Sequence, residues 1–267
     1  MDRDVLVEAV LASGVVLPAP GQGFLRLQAA AADENAGPRE LAAAVSQDPA
    51  MTGALLRVAN SPVFRPRSAP RSAQDAIAML GRTRTLATAA STALKNQSGG
   101  LDSKAIEALW SASARAADLT YAVCRATPFK ALADTAYLAA LMQDAGVAVL
   151  LRRAPEHANL LHVTGAALEA GARAIDALTC SDHTAAGFLV ARNWKLPTEV
   201  CEAIRAHHEP AMALRLGDNA RRIALLLAAG RRLRDGASPD WTDWAEPVEA
   251  ELGLTEAALD QISADER

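Results

Sequence analysis

Thr135-Ala-Tyr-Leu-Ala-Ala-Leu-Met-Gln-Asp-Ala-Gly-Val-Ala-Val-Leu-Leu151 is the most apolar stretch of the chain, and two polar residues, Gln143 and Asp144, stand in its middle. A membrane span needs about 20 predominantly apolar residues in succession, so this interrupted run reads as core helix instead. The same periodicity extends the helical pattern from Phe129 to Arg152. An amide and a carboxylate inside such a core need hydrogen-bonding partners.

Working outward, period-3.6 patterns recur almost everywhere and no convincing period-2 strand occurs. Roughly a quarter of the chain is alanine, the strongest helix former, and only 4% is aromatic. That composition argues against a β-sandwich or barrel. At 51% hydrophobic and 22% charged, the 267 residues can bury a large core.

Helix boundaries are legible. Pro38 after Gly37 suits a first helical position, and Asp48-Pro49 breaks that helix and starts the next. Ser72 with Asp75 resembles a capping box with Asp in place of Glu, and Gly81 suits a C-terminal stop. Asn96-Gln97-Ser98-Gly99-Gly100 marks a flexible joint. Helical patterns follow over 102–125, 129–152, 155–170, 181–193, 197–208 and 219–233. The expected organisation is an N-terminal helical lobe over 1–96, a second helical lobe over 101–235, and an acidic C-terminal extension over 236–267. Trp241, Trp244, Val248, Leu252, Leu254 and Leu259 of that extension are placed to dock on a core.

Net charge is −4 and the sequence pI about 5.8, so no global field favours nucleic acid or an anionic membrane. Cys124, Cys180 and Cys201 form no CxxC pair and suit free thiols in a reducing cytoplasm. The N-terminus lacks a signal-peptide pattern, so a cytoplasmic location is expected. Gly-rich phosphate loops, GxSxG and calcium-loop motifs are absent.

Two groups of residues carry a family resemblance. The first comprises Leu41-Ala-Ala-Ala-Val-Ser-Gln-Asp-Pro-Ala50, Leu55-Leu-Arg-Val-Ala-Asn-Ser61, Phe64, and Ser72 through Ala76-Ile77 to Leu80-Gly81. The second comprises Leu109-Trp110, Ala139-Ala-Leu-Met-Gln-Asp-Ala-Gly146, Asp182-His183 with Gly187, Trp194-Lys-Leu-Pro197, and Ala203-Ile204 to His207-His-Glu-Pro210. From Ser13 to Leu233 the chain resembles the HDOD family, the HD-related output domain of bacterial signalling proteins. The resemblance implies an all-α, two-lobed protein whose N-terminal lobe packs on an HD-like lobe. It also implies a role in signal transduction or regulation.

HD phosphohydrolases hold one or two metals with His and Asp side chains, and a metal-bound water attacks phosphorus. Where such enzymes carry the first His, this chain has Ala112; the His-Asp pair is Gln143-Asp144; and the Asp of the last helix is Ala229. Asp144, His183, His207 and His208 remain as a degenerate site. Losing ligands removes affinity and the means of acidifying water, so no catalysis, no metal and no cofactor are expected, with a residual weak metal or anion site as the alternative. The survivors read as a hydrogen-bonded remnant in which an imidazole donates to Asp144. Adjacent helical residues point about 100° apart, so His207 and His208 are not expected to face it together. Cys180, His183, Cys201 and His207 have partly zinc-like spacing.

Arg57, Arg65, Arg67, Arg71, Arg82, Arg84 and Lys95 form a basic run whose Arg65, Arg67, Arg71, Arg82 and Arg84 are a candidate recognition patch, with the acidic extension as a counterpart. Trp110 and Trp194 are expected in the core with their indole N–H groups paired. The expectation is a non-catalytic regulator that presents two helical lobes and a cleft, binding a signalling protein or, secondarily, a nucleotide. Nucleic acid and membrane are not expected partners. The competing reading is a metal-dependent phosphohydrolase or phosphodiesterase using the Asp/His cluster.

Overall fold

The computed structural model describes residue 8 and residues 10–64, 68–161 and 166–266, and these contain helices and no strand. They divide into two compact units, Ala19–Gln97 and Met1–Pro18 with Ser98–Arg267. The described residues before Ala19 group with the second unit, whereas the sequence places them in a lobe over 1–96.

In the unit Ala19–Gln97, four helices follow in order: α1 Gln22–Ala32, α2 Pro38–Val45, α3 Pro49–Ala59 and α4 Ala73–Gln97. Their starts follow the local chemistry. Glu40 accepts from the Gly37 N–H at 2.9 Å, and Asp48 accepts from the Met51 N–H at 3.0 Å. Ser72 and Asp75 cap one another reciprocally, each side chain accepting the other's N–H at 3.1 Å. Gly81, at φ +74, leaves helical geometry inside α4, and a second helical segment resumes at once. The glycine ends one run without ending the element. Phe24, Leu27, Leu41, Val45, Met51 and Leu55 belong to this unit's buried core.

The other unit contains α5 Ser103–Arg125, α6 Ala133–Met142, α7 Ala145–Leu151, α8 Ala166–Thr179, α9 His183–Asn193, α10 Thr198–Ala206, α11 Pro210–Ala213, α12 Asp218–Asp235, α13 Thr242–Leu252 and α14 Glu256–Asp265. Helix α5 packs on α6 and α12; α7 packs on α9; and α10 lies against both α9 and α12.

Two long helical patterns break up. The pattern over 129–152 divides into a 3₁₀ turn, α6 and α7, with Gln143 and Asp144 at the break. The pattern over 155–170 becomes a 3₁₀ segment Pro155–Leu161 and the start of α8, with 162–165 outside the described residues. The stretch Lys130–Leu151 passes a length-and-composition test for a membrane span, yet 89% of its apolar window is buried within the protein. It is core.

The acidic extension is part of this core. Trp244, Val248, Leu252 and Leu259 are buried, and its carboxylates meet arginines of α12. Arg221 donates to Glu251 at 2.7 and 3.1 Å, and Arg232 donates to Glu256 and Asp260 at 3.0 and 3.2 Å. These acidic groups pair with arginines of α12 within the same unit.

Candidate functional site

One close helix approach sets the site. A Cβ added at Gly146 on α7 would lie 1.9 Å from the His183 carbonyl oxygen and 2.6 Å from the Gly187 nitrogen. Only glycine lets the start of α9 lie directly on α7 beside Asp144. Before α9 the chain reverses after Thr179, with Cys180 at φ +50 and the Ser181 N–H donating to the Asp176 carbonyl at 3.1 Å. The reversal brings His183 back onto α8. Its backbone N–H donates to Asp176 Oδ1 at 2.9 Å, and its ring Nδ1 lies 2.6 Å from Asp176 Oδ2.

Helix α10 ends at Ala206, which places His207 at the cap and His208 beyond it. Helical geometry no longer separates them. Their ring centroids are 4.0 Å apart, and they lie 5.4 and 5.1 Å from that of His183. His207 Nδ1 lies 2.7 Å from the Ile204 carbonyl, so this nitrogen carries the proton. Its Nε2 stands 3.6 Å from Asp144 Oδ1. Both adjacent imidazoles thus face the cluster, contrary to the expectation from helix spacing.

Asp144, His183, His207 and His208 each offer a ligand atom, all within 4.8 Å of one another. The imidazole contacts differ from expectation. His183 is anchored by Asp176, which the sequence did not single out, and His207 lies beyond hydrogen-bond distance of Asp144. The Nε2 atoms of His183 and His207 are buried without a hydrogen-bond partner among the described groups.

Arginines border the cluster from α12. Arg231 donates to Gln143 Oε1 at 3.4 Å and also to the His207 carbonyl. Arg234 holds Asp235 through two bonds of 2.7 and 2.6 Å, with Nη1 3.9 Å from Asp144 Oδ2. Beside Asp144 is a cavity of about 10 Å³ lined by Leu109, Asp144, Glu169, His208, Arg231 and Arg234, with space for about one water. Glu169 also approaches His208 Nδ1 at 3.4 Å and accepts from Arg173 at 3.2 Å.

Charge states follow from these contacts. Burial opposes ionisation of Asp144, but His207 and the Arg234 and His183 charges hold its carboxyl well below the usual range. Burial pushes His207 down to about 4, with Asp144 opposing and Arg231 reinforcing the shift. His208 is held well below 6.5 by burial and by neighbouring His207 and Arg231. In His183 burial acts downward, but the Asp176 hydrogen bond and charge prevail and raise it. Burial and Asp240 lift Glu169 to about 7.

The replaced positions make plain structural contacts or none that bear on the cluster. Ala112 is half-buried on α5, Ala229 is buried in α12, and Gln143 is fully buried against Arg231. The donor set fits one divalent cation and not two. Carboxylate and imidazole donors converge, and the anchored Nδ1 atoms direct the Nε2 lone pairs inward. An ion there would supply Lewis acidity when bound.

The cysteine-containing alternative is not assembled. Cys180 is exposed, Cys201 Sγ lies 3.6 Å from the Leu196 carbonyl, and neither joins His183 and His207. Of the indoles, Trp194 donates to the Pro18 carbonyl at 2.8 Å, whereas buried Trp110 Nε1 has no partner among the described groups.

The basic patch divides as well. Arg65 and Arg67 lie outside the described residues. Arg82 closes the end of α1 and its following turn, donating to the carbonyls of Ala31, Asp33, Glu34 and Ala36. Arg84 stacks 4.7 Å over Phe64 and donates to the Leu80 carbonyl at 2.7 Å. Arg71 alone of the described three is exposed.

Among the described residues the fold is all-helical and gathers Asp144, His183, His207 and His208 at one place. The HDOD domain model matches residues 17–210, and the chain belongs to the HDOD family. An HDOD domain protein of unknown function from Geobacter sulfurreducens is similar at TM-score 0.68 and 20% identity, covering 99% of this chain and 94% of that one. A candidate metal-dependent phosphohydrolase from Shewanella amazonensis SB2B follows at 0.67 and 19%, covering 99% of both. A candidate signal transduction protein from Marinobacter aquaeolei VT8 matches at 0.66 and 23%, covering 99% of this chain and 63% of that one. At these identities the likeness is one of fold. No curated protein matches the sequence.

Proposed function

We propose that this HDOD protein is a regulator in bacterial signal transduction that works by binding a protein partner, or secondarily a nucleotide, and not by turnover. The observation that carries this reading is the closure of the Asp/His centre. Gln143 stands in the His-Asp pair, Arg231 ties that amide to the His207 backbone, and the cavity beside Asp144 among the described residues has room for about one water. A phosphodiester needs far more room and open coordination positions. Three free thiols support placement in the reducing cytoplasm.

The second reading is a metal-dependent phosphohydrolase. It is favoured by the convergence of four donors and two inward Nε2 atoms, and by the name of the Shewanella neighbour. Calorimetric titration with mononucleotides and cyclic dinucleotides, and turnover of the same compounds with Mn²⁺, Mg²⁺ or Fe²⁺, separates the two. Regulation predicts no hydrolysis above that of Asp144→Ala under any ion. Ion-dependent hydrolysis abolished by Asp144→Ala would overturn it.

A further inference from the structure

We propose that Asp240 is a built-in occupant of a phosphate-binding subsite at the rim of the Asp/His centre, and that the phosphate group of a ligand binds there by displacing it. The inference rests on the reading of this chain as a binder without turnover.

Asp240 lies in the 3₁₀ turn Pro239–Trp241, between α12 and α13 and beyond the residues 17–210 that match the family model. Its carboxylate accepts from Arg173 Nη2 on α8. The same nitrogen donates to Glu169 at 3.2 Å and lies 3.4 Å from His208 Nδ1. Beside this contact is a cavity of about 10 Å³ lined by Glu169, Arg231, Arg232, Asp240, Trp241 and Trp244. Glu169 and Arg231 also line the cavity beside Asp144, so the two spaces meet at these side chains.

The surroundings call for a better acceptor than Asp240. Arg232 lines one cavity and Arg234, 6% exposed, lines the other. Arg232 Nε and Arg234 Nη1 are buried with no partner among the described groups, an unfavourable state for an N–H. A phosphate offers three acceptor oxygens that suit several guanidinium forks, whereas the Asp240 carboxylate pairs with Arg173 alone among the arginines.

Asp240 is also held weakly. Carboxylate oxygens of Asp240 and Glu169 lie within 4.8 Å of one another, and the Arg173 and Asp240 side chains are 46% and 42% exposed. Like charge and solvent both diminish such a pair. Of the other carboxylates nearby, Asp235 is held by Arg234, and Glu256 and Asp260 are held by Arg232. Glu169 and Asp240 are left facing Arg173 and Arg231. Once Asp240 withdraws, two guanidinium groups face one carboxylate.

Among the described residues, neither Asp144 nor a histidine lines the Asp240 cavity. A phosphate seated there is held without being presented to the centre, which is binding without turnover.

The test titrates the full chain by calorimetry with inorganic phosphate, a nucleoside 5′-monophosphate and the matching nucleoside. Binding of either phosphate compound, with the nucleoside at least tenfold weaker, supports the proposal. Equal affinities identify free phosphate as the ligand, and a tighter nucleotide identifies the nucleotide. Asp240→Asn should tighten phosphate binding about 2–5-fold. Arg173→Gln should weaken it about 10-fold or more. Both side chains are substantially exposed, and circular dichroism should report an unchanged fold. In the unaltered chain, hydrogen exchange over 236–241 should accelerate at saturating phosphate as Asp240 leaves its seat. No binding of either phosphate compound to Asp240→Asn at millimolar concentration, affinities unmoved by both variants, or unmoved exchange would overturn the proposal. Nucleotide binding indifferent to both variants would overturn this inference and leave the functional reading standing, because that reading fails on turnover.

Discussion

The two units bury polar chemistry in opposite ways. In Ala19–Gln97 the buried polar side chains among the described residues are Thr85, Thr88 and Ser91, each donating to a carbonyl three or four residues earlier. In the other unit the buried polar set includes Gln143, Asp144, His183, Arg205, His207 and Arg231. Hydroxyls closed on their own helix cost little. Buried ionic groups carry a penalty of several kcal/mol each, offset only by good partners. One unit is held by aliphatic packing and caps, whereas the other is built around a charged centre whose imidazoles still point inward.

The largest contrast comes from glycine-to-alanine changes. Gly146→Ala places a Cβ into the His183 backbone, and the expected loss is about 3 kcal/mol or more, read as a drop in the urea midpoint. Gly53→Ala, inside α3, meets only an Arg57 side chain at 3.6 Å and should stabilise by up to about 1 kcal/mol. Equal effects at the two positions would break the comparison.

Acidity should also separate the units. The His207 value of about 4 in the fold lies below its ordinary 6.5, so the unfolded chain binds more protons between those limits. The His207 contribution is full above pH 6.5 and is lost as pH falls toward 4, on the order of 3 kcal/mol before the opposing shifts of His183 and Glu169. Ala19–Gln97 contains no histidine. Hydrogen exchange, corrected for intrinsic rates, should lose protection in α9 and α10 at pH 4.5 while α3 and α4 change little.

Within Ala19–Gln97 the analogous charge is Arg82, whose partners are neutral carbonyls. Arg82→Met should cost about 2 kcal/mol, independently of pH from 4.5 to 8, by urea unfolding monitored at α1. Exposed Arg71→Ala should change stability by less than about 0.5 kcal/mol in the same assay.

Much of this was legible in the sequence. Pro38, Pro49, Asp48, Ser72 and Asp102 announce their helix starts, because capping is local chemistry. Asp144, His183, His207 and His208 were identified as one set through their family positions. Other features depend on tertiary geometry. Asp176 reaches His183 only because the chain reverses at Cys180. The cap at the end of α10 frees His207 and His208 from helical spacing, and Gln143 looks like a helical residue until the break beside it is seen. Arg231 and Arg234 did carry a signal, three residues apart just past the buried Ala228-Ala229 pair, but arginines near a helix C-terminus ordinarily serve the helix dipole.

The central claim is that the charged centre persists without chemistry. Its most direct test is hydrolysis of bis(4-nitrophenyl) phosphate by a preparation whose ion content is measured in the same tube, beside Asp144→Ala treated identically. The account predicts rates indistinguishable from the variant's however much ion is bound. Hydrolysis that rises with ion content and disappears in Asp144→Ala would contradict it.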